Sequence, residues 1–147
     1  MSADHPLRIA LVLSTSTGGI GRHVASVAPR LVQRGHQVRI YCPAVTDTAQ
    51  GFSSRGLDVR PLAELRRAAG ADVLHAHGFK AGGLALPVAR WSRTPLVVTW
   101  HNAVLGAGPS RTAARLLQRV VARGATLTRS PARDARQPMS ISSAPRS

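Results

Sequence analysis

One stretch restricts the fold of this chain more than any other. Ile9-Ala10-Leu11-Val12-Leu13 is a short apolar run of strand length. It leads into Ser14-Thr15-Ser16-Thr17-Gly18-Gly19-Ile20-Gly21, and then into a segment of helical period. Ile20, Val24, Val27, Ala28, Leu31 and Val32 recur on one helical face. A strand, a glycine turn and a helix start place backbone N–H groups and the positive end of a helix together, which suits a phosphate. Glycines there let the backbone approach a ligand with no side chain between. The turn also serves as a plain strand-to-helix connection.

The same alternation continues along the chain, which predicts a parallel sheet with crossover helices. Strands are expected over 8–14, 37–42, 57–61, 71–76 and 94–100. Helices are expected over 20–34, 62–69, 78–91 and 111–123. Gly35, Gly70 and Gly124 follow three of these helices, where a left-handed residue is favoured. Pro29 falls inside the first of them and predicts a kink or a split, and Pro87 is a weak point in the helix 78–91. Residues 43–56 and 101–110 read as loops. After Gly124 the chain is rich in Ser, Arg and Pro. Residues 125–128 read as a last strand and 129–147 as a disordered tail, with 1–6 a disordered N-terminus. The domain is therefore 7–128, an α/β fold with a Rossmann-like parallel sheet and helices on both faces.

Composition narrows the function. The chain has 147 residues, 44% of them apolar, enough for one globular core. Cys42 is the only cysteine and has no internal partner, so a reducing, cytoplasmic setting is expected. No run of about 18 apolar residues occurs to span a bilayer. The net charge is +14, and nineteen of the twenty basic residues are Arg. Such charge raises nucleic-acid binding. The Arg residues are scattered and aromatics are only 3%, which speaks against base stacking.

The glycine turn is not a dinucleotide fingerprint. The third glycine would fall at Val24, and Tyr41-Cys42-Pro43 stands where the ribose-binding acid belongs. No Gly-Lys-Ser/Thr occurs either. Three histidines gather by sequence at strand ends. His75 and His77 share one face of the strand 71–76, and His101 with Asn102 follows the strand 94–100. A metal site built from these histidines has no obvious carboxylate or Cys to complete it, and none is expected. In the helix 111–123, Arg111, Arg115, Arg119 and Arg123 form a basic stripe. It reads as a solvated face, or as a surface for anionic lipid headgroups.

Three segments together resemble a known family: GGIGRHVASVAPRLVQRGHQVRIYCP, DVLHAHGFKAGGLALPVAR and TPLVVTWHN. They are similar to the N-terminal half of bacterial family-4 glycosyltransferases of GT-B fold, over about residues 7–124. The resemblance implies a retaining transfer of a sugar from a nucleotide-diphosphate donor to an acceptor, without a metal or other cofactor. It implies that this domain binds the acceptor. It sets Gly18 and Gly19 against the donor diphosphate, His101 by the donor sugar as the catalytic residue, and His77 and Asn102 along the cleft. The family's donor-binding second domain, with its basic residues and Glu pair, has no counterpart here; Glu64 is the only Glu. A truncated or frameshifted gene is therefore expected, with the chain inactive alone and the Arg/Ser/Pro-rich tail read off-frame. The alternatives are a non-catalytic module pairing with a separate donor-domain subunit, a basic nucleic-acid binder, and an oxidoreductase using the phosphate turn.

Overall fold

The computed structural model describes residues 5–99 and the backbone of 127–129. Six strands form one sheet: β1 (Arg8–Leu13), β2 (Gln37–Cys42), β3 (Asp58–Pro61), β4 (Val73–His77), β5 (Leu96–Thr99) and β6 (Leu127–Arg129). Every pairing is parallel. The order is β3-β2-β1-β4-β5-β6. The chain thus builds outward from β1 in one direction and from β4 in the other. The reversal lies between β1 and β4, and open α/β sheets bind ligands at the carboxyl ends of the strands at such a point.

The strand period of two sorts the core into two layers. Leu11, Leu13, Ile40 and Cys42 face one side, where α1 (Gly19–Gln33) contributes Val24 and Ala28. Ala10, Val12, Leu74, Ala76, Leu96 and Val98 face the other, where α3 (Phe79–Ser92) contributes Ala81, Ala85, Leu86 and Ala89. A 3-10 helix, Leu62–Ala68, covers the same side with Leu65 and Ala68. Helices therefore occupy both faces, as the alternation predicts.

Three expectations are corrected. Residues 43–56 are not an irregular polar loop. They form α2 (Ala44–Gln50) and a short 3-10 turn, Ser53–Arg55, with Phe52 fully buried against the α1-side core. The short helix expected over 62–69 is present, in 3-10 form, at Leu62–Ala68. Neither proline splits its helix. Val24 and Ala28 precede Pro29, and α1 runs on to Gln33; around Pro87, Leu86 and Ala89 both pack on the sheet. Packing on both sides of a proline can hold a helix through one lost hydrogen bond. Lastly, Val32 lies outside the core at 47% exposure, because the helical stripe drifts off the sheet. The expected loop 101–110, helix 111–123 and tail 130–147 lie outside the described residues, as do His101 and Asn102.

Candidate functional site

The carboxyl edge at the β1/β4 reversal is built from two glycine-bearing turns. The first follows β1. Its geometry is fixed from α2, which the sequence reading missed. Thr46, fully buried, accepts a hydrogen bond from the Ser16 N–H at 2.9 Å. Gln50 Nε2 donates to the Ser16 carbonyl at 3.4 Å. Ser16 Oγ in turn accepts from the Gly21 N–H at 3.1 Å. Thr46 and Gln50 sit four apart on a seven-residue helix, so both reach the same turn.

The glycines divide by role. A Cβ on Gly21 would stand 2.5 Å from the Gln50 side chain, so Gly21 lets α1 close on α2. A Cβ on Gly18 or Gly19 would meet nothing within 4 Å, and neither residue needs a left-handed backbone. Both are exposed. The fold itself makes no demand for glycine at either position. Gly18 caps α1 with no side-chain hydrogen bond, and no acidic residue stands in the first turn. The positive end of α1 is thus left without a carboxylate of its own.

The second turn follows β4. Gly78 caps α3 with φ of 91°, a conformation that favours glycine. Its N–H donates to the Thr99 carbonyl at 2.8 Å, and a Cβ there would stand 3.8 Å from Ile20 Cδ1. The two turns are therefore neighbours. Along the edge, Leu13 is in register with His77, and His77 with Thr99. The three sequence segments singled out above converge here.

Three imidazoles meet behind the turns. His75 and His77 point to the α1 side of β4, with ring centroids 4.2 Å apart. His23, from the second turn of α1, lies 5.7 Å from His77. His75 Nε2 is hydrogen-bonded to Thr99 Oγ1 at 2.7 Å, the tautomer deciding which atom donates. His77 is buried at 1% exposure, whereas His23 is exposed. His23 was not singled out by sequence; its place in GGIGRH, four residues after Gly19, was the available signal. Among the described residues no group of three or more His, Cys, Asp and Glu is placed to hold a metal ion.

Two other features lie away from this edge. Asp72, which opens the DVLHAH segment, is at the amino end of β4. It accepts from the Arg8 N–H at 2.7 Å and pairs with the Arg8 guanidinium, which holds its carboxyl below the ordinary range. Its work is to tie β1 to β4. A cavity of about 380 Å3 opens at that same amino end, lined by Arg8, Arg39, Tyr41, Asp58 and Arg67 among others. It is on the wrong edge of the sheet for the ligand of an open α/β fold.

Cys42 is at 1% exposure, and burial, followed by the nearby Asp47 charge, pushes its thiol up to about 11. It is not a nucleophile at neutral pH. Maleimide should label it at pH 8 only as fast as the protein opens. The unfolded thiol ionises near pH 9 and the folded one near 11, so the unfolded state binds fewer protons between them. This contribution is fully present below pH 9 and is lost as pH rises to 11. Denaturant midpoints should fall across that window, and less steeply in Cys42→Ala.

Residues 17–137 match glycosyltransferase family 4, starting within the glycine turn and covering most of the chain. The chain belongs to that family. The family-4 match runs past Gly124, through β6 and into the stretch read from sequence as tail. Solved structures agree on the fold. Anabaena Alr3699/HepE, solved in complex with UDP, superposes with a TM-score of 0.67 at 17% identity, covering 83% of this chain and 37% of that one. Acinetobacter baumannii MurG gives 0.63 at 15%, covering 84% and 41%. AnUbiX (PadA1), in complex with FMN and dimethylallyl pyrophosphate, gives 0.55 at 14%, covering 84% and 77%. At such identities the likeness is one of fold alone. This family-4 chain spans about two fifths of the length of HepE and MurG. No curated protein matches it.

Among the described residues, no helix is long and apolar enough to cross a membrane.

Proposed function

We propose that this chain is the acceptor-side domain of a retaining glycosyltransferase that uses a nucleotide-diphosphate sugar. Membership of family 4 supports the reaction class. The observation that carries the domain's part in it is the pair Gly18 and Gly19. Both are exposed at the start of α1, at the sheet's reversal point, and the fold itself requires neither. A diphosphate leaving the sugar gains negative charge. Backbone N–H groups and the uncompensated positive end of α1 stabilise that charge without a metal or other cofactor. Alr3699/HepE has been solved with UDP-glucose, so a uridine donor is the first to try.

In this reading His101 supports the transition state beside the donor sugar, and Asn102 and His77 belong to the acceptor side. His23 joins them, since it is the exposed member of the imidazole group. The donor nucleotide is held by a second domain, and the 147 residues alone turn over little or no donor.

The test reads the gene beyond the codon of residue 137 in every frame. The protein is then expressed with and without the domain found there. A panel of radiolabelled nucleotide sugars is supplied with a membrane and polysaccharide extract as acceptor. The longer product should transfer label with retained anomeric configuration, and the short chain should not. Transfer by the short chain at the same rate overturns the division of labour. Absence of label transfer by either overturns the reaction.

A further inference from the structure

The cavity of about 380 Å3 at the amino edge of the sheet is built by strand period and register. Arg8 and Ala10 on β1, and Arg39 and Tyr41 on β2, face the side covered by the 3-10 helix Leu62–Ala68. Ala10 is the Cα partner of Arg39, so a single methyl group lies beside a long side chain. Ala68 and Ala71 are equally short on the facing wall, and the space between stays open. A Cβ on Gly70 would stand 3.9 Å from Arg8 Nη1, so the Arg8 guanidinium closes that side.

The rim is cationic. Arg8, Arg39 and Arg67 reach it from β1, β2 and the 3-10 helix. A guanidinium has five N–H donors, and the ion pairs use few of them. Asp72 takes Nε and Nη2 of Arg8, Asp58 takes Nε of Arg39, and Glu64 takes Nη1 of Arg67. Asp58 is shared with Arg60 as well, so four guanidiniums answer to three carboxylates. Arg66, exposed beside Arg67, joins no ion pair among the described residues. Tyr41 is 1% exposed and brings its hydroxyl to Arg39; Asp58 first and Tyr41 second hold that guanidinium above the ordinary arginine range.

Guanidiniums approaching from three elements over a small apolar floor suit an anion with a body attached. A carboxylate fills one planar fork. A phosphomonoester carries nearly two charges and three oxygens that point apart, one for each arginine. The volume stands at the small end of ligand pockets, which run from about 300 to about 1,000 Å3. We propose that this cavity binds a small phosphomonoester, with its phosphate among Arg8, Arg39 and Arg67 and its body against Tyr41, Ala10 and Ala68. Hydroxyls on that body donate to the Asp58 carboxylate. β1 runs from this cavity at Arg8 to Leu13, just before the glycine turn, so the site lies at the other end of the strands from Gly18 and Gly19. Its occupant is a second ligand and does not displace a nucleotide sugar. The inference is independent of the reaction proposed above.

The test is calorimetric titration of the full chain at about 0.15 M ionic strength, where diffuse attraction to the net charge is screened. The probes are glycerol 3-phosphate, glucose 6-phosphate and AMP, with glycerol, glucose and adenosine as their neutral counterparts. At least one phosphomonoester should bind one to one, and its neutral counterpart should not bind. For that probe, Arg39→Gln and Arg67→Gln should each weaken binding about tenfold. Arg30→Gln, on α1 and outside the cavity, removes the same charge and should weaken it less than about twofold. Gly19→Val should bind the probe as the parent does. The three arginines are exposed, so melting curves should match the parent; where Arg39→Gln melts early, Arg67→Gln carries the test. Binding of none of the phosphomonoesters, or equal losses in Arg30→Gln and the cavity variants, overturns the proposal. So does binding that Gly19→Val abolishes and the cavity variants keep, which moves the phosphate to the glycine turn.

Discussion

Phe52→Ala should lower the unfolding free energy by about 3–5 kcal/mol, a large share of the stability of an ordinary domain. The ring is fully buried and packs in the layer formed by Leu11, Leu13, Val24, Ala28 and Ile40. Its removal costs the transfer energy of an aromatic side chain and leaves a cavity that the close-packed neighbours only partly fill. The neighbourhood gives a control. Val45, on the exposed side of α2 at 53%, should lose no more than about 0.5 kcal/mol as Val45→Ser. Urea unfolding of the two variants, with unchanged slope, is the measurement. If residues 43–56 were the polar loop that their composition suggests, the two substitutions would be equally mild. Similar midpoints for both would therefore reject the packing of α2 and Phe52 described above.

In the two-domain enzyme proposed here, Gly19→Val should reduce kcat/KM by about 30- to 1000-fold, or roughly 2–4 kcal/mol of transition-state stabilisation. Thermal stability should hardly change. A Cβ at Gly19 meets nothing within 4 Å, and its backbone is not in the left-handed region. A β-branched residue near a helix start costs only tenths of a kcal/mol. The loss would then arise from a side chain standing where the donor diphosphate must approach. Gly21→Val is the contrast, since a Cβ there already collides with Gln50 and the damage falls on folding. Steady-state kinetics and a melting curve on each variant separate the two. Full activity in Gly19→Val would remove the glycine turn from the site. A large drop in stability with Gly19→Val would make its role structural.

Much of the site was legible because its parts are local. A strand-length apolar run, a glycine turn and a helical stripe follow one another within residues 8–33, and periodicity reads each of them. The shared face of His75 and His77 follows from the strand period alone, and both do point to the α1 side, 4.2 Å apart. Gly78 was readable only as a boundary. Its positive φ and its hydrogen bond to Thr99 depend on where β5 lies.

The segment 43–56 failed for a physical reason. Thr46 and Gln50 are polar, and polarity at helical spacing reads as solvent exposure. Here the two side chains are buried because they complete hydrogen bonds to the backbone of a turn some thirty residues earlier. Nothing in the local pattern announces a partner at that distance. The prolines failed in the opposite sense. Local rules allow a split at Pro29 and a weak point at Pro87, and each helix runs on past its proline, with packing on the sheet to hold it.

The sequence by itself determined the alternation of elements, the parallel class of the sheet, the place of the glycine turn and the family. These rest on periodicity, glycine placement and motif spacing, which act over a few residues. Tertiary structure alone decided the strand order with its reversal between β1 and β4, the joining of His23 to His75 and His77, and the roles of the three glycines. It also decided that Trp91 stands in solvent while Phe52, in a polar segment, does not. Burial and approach are properties of two surfaces meeting, and one segment carries only half of each.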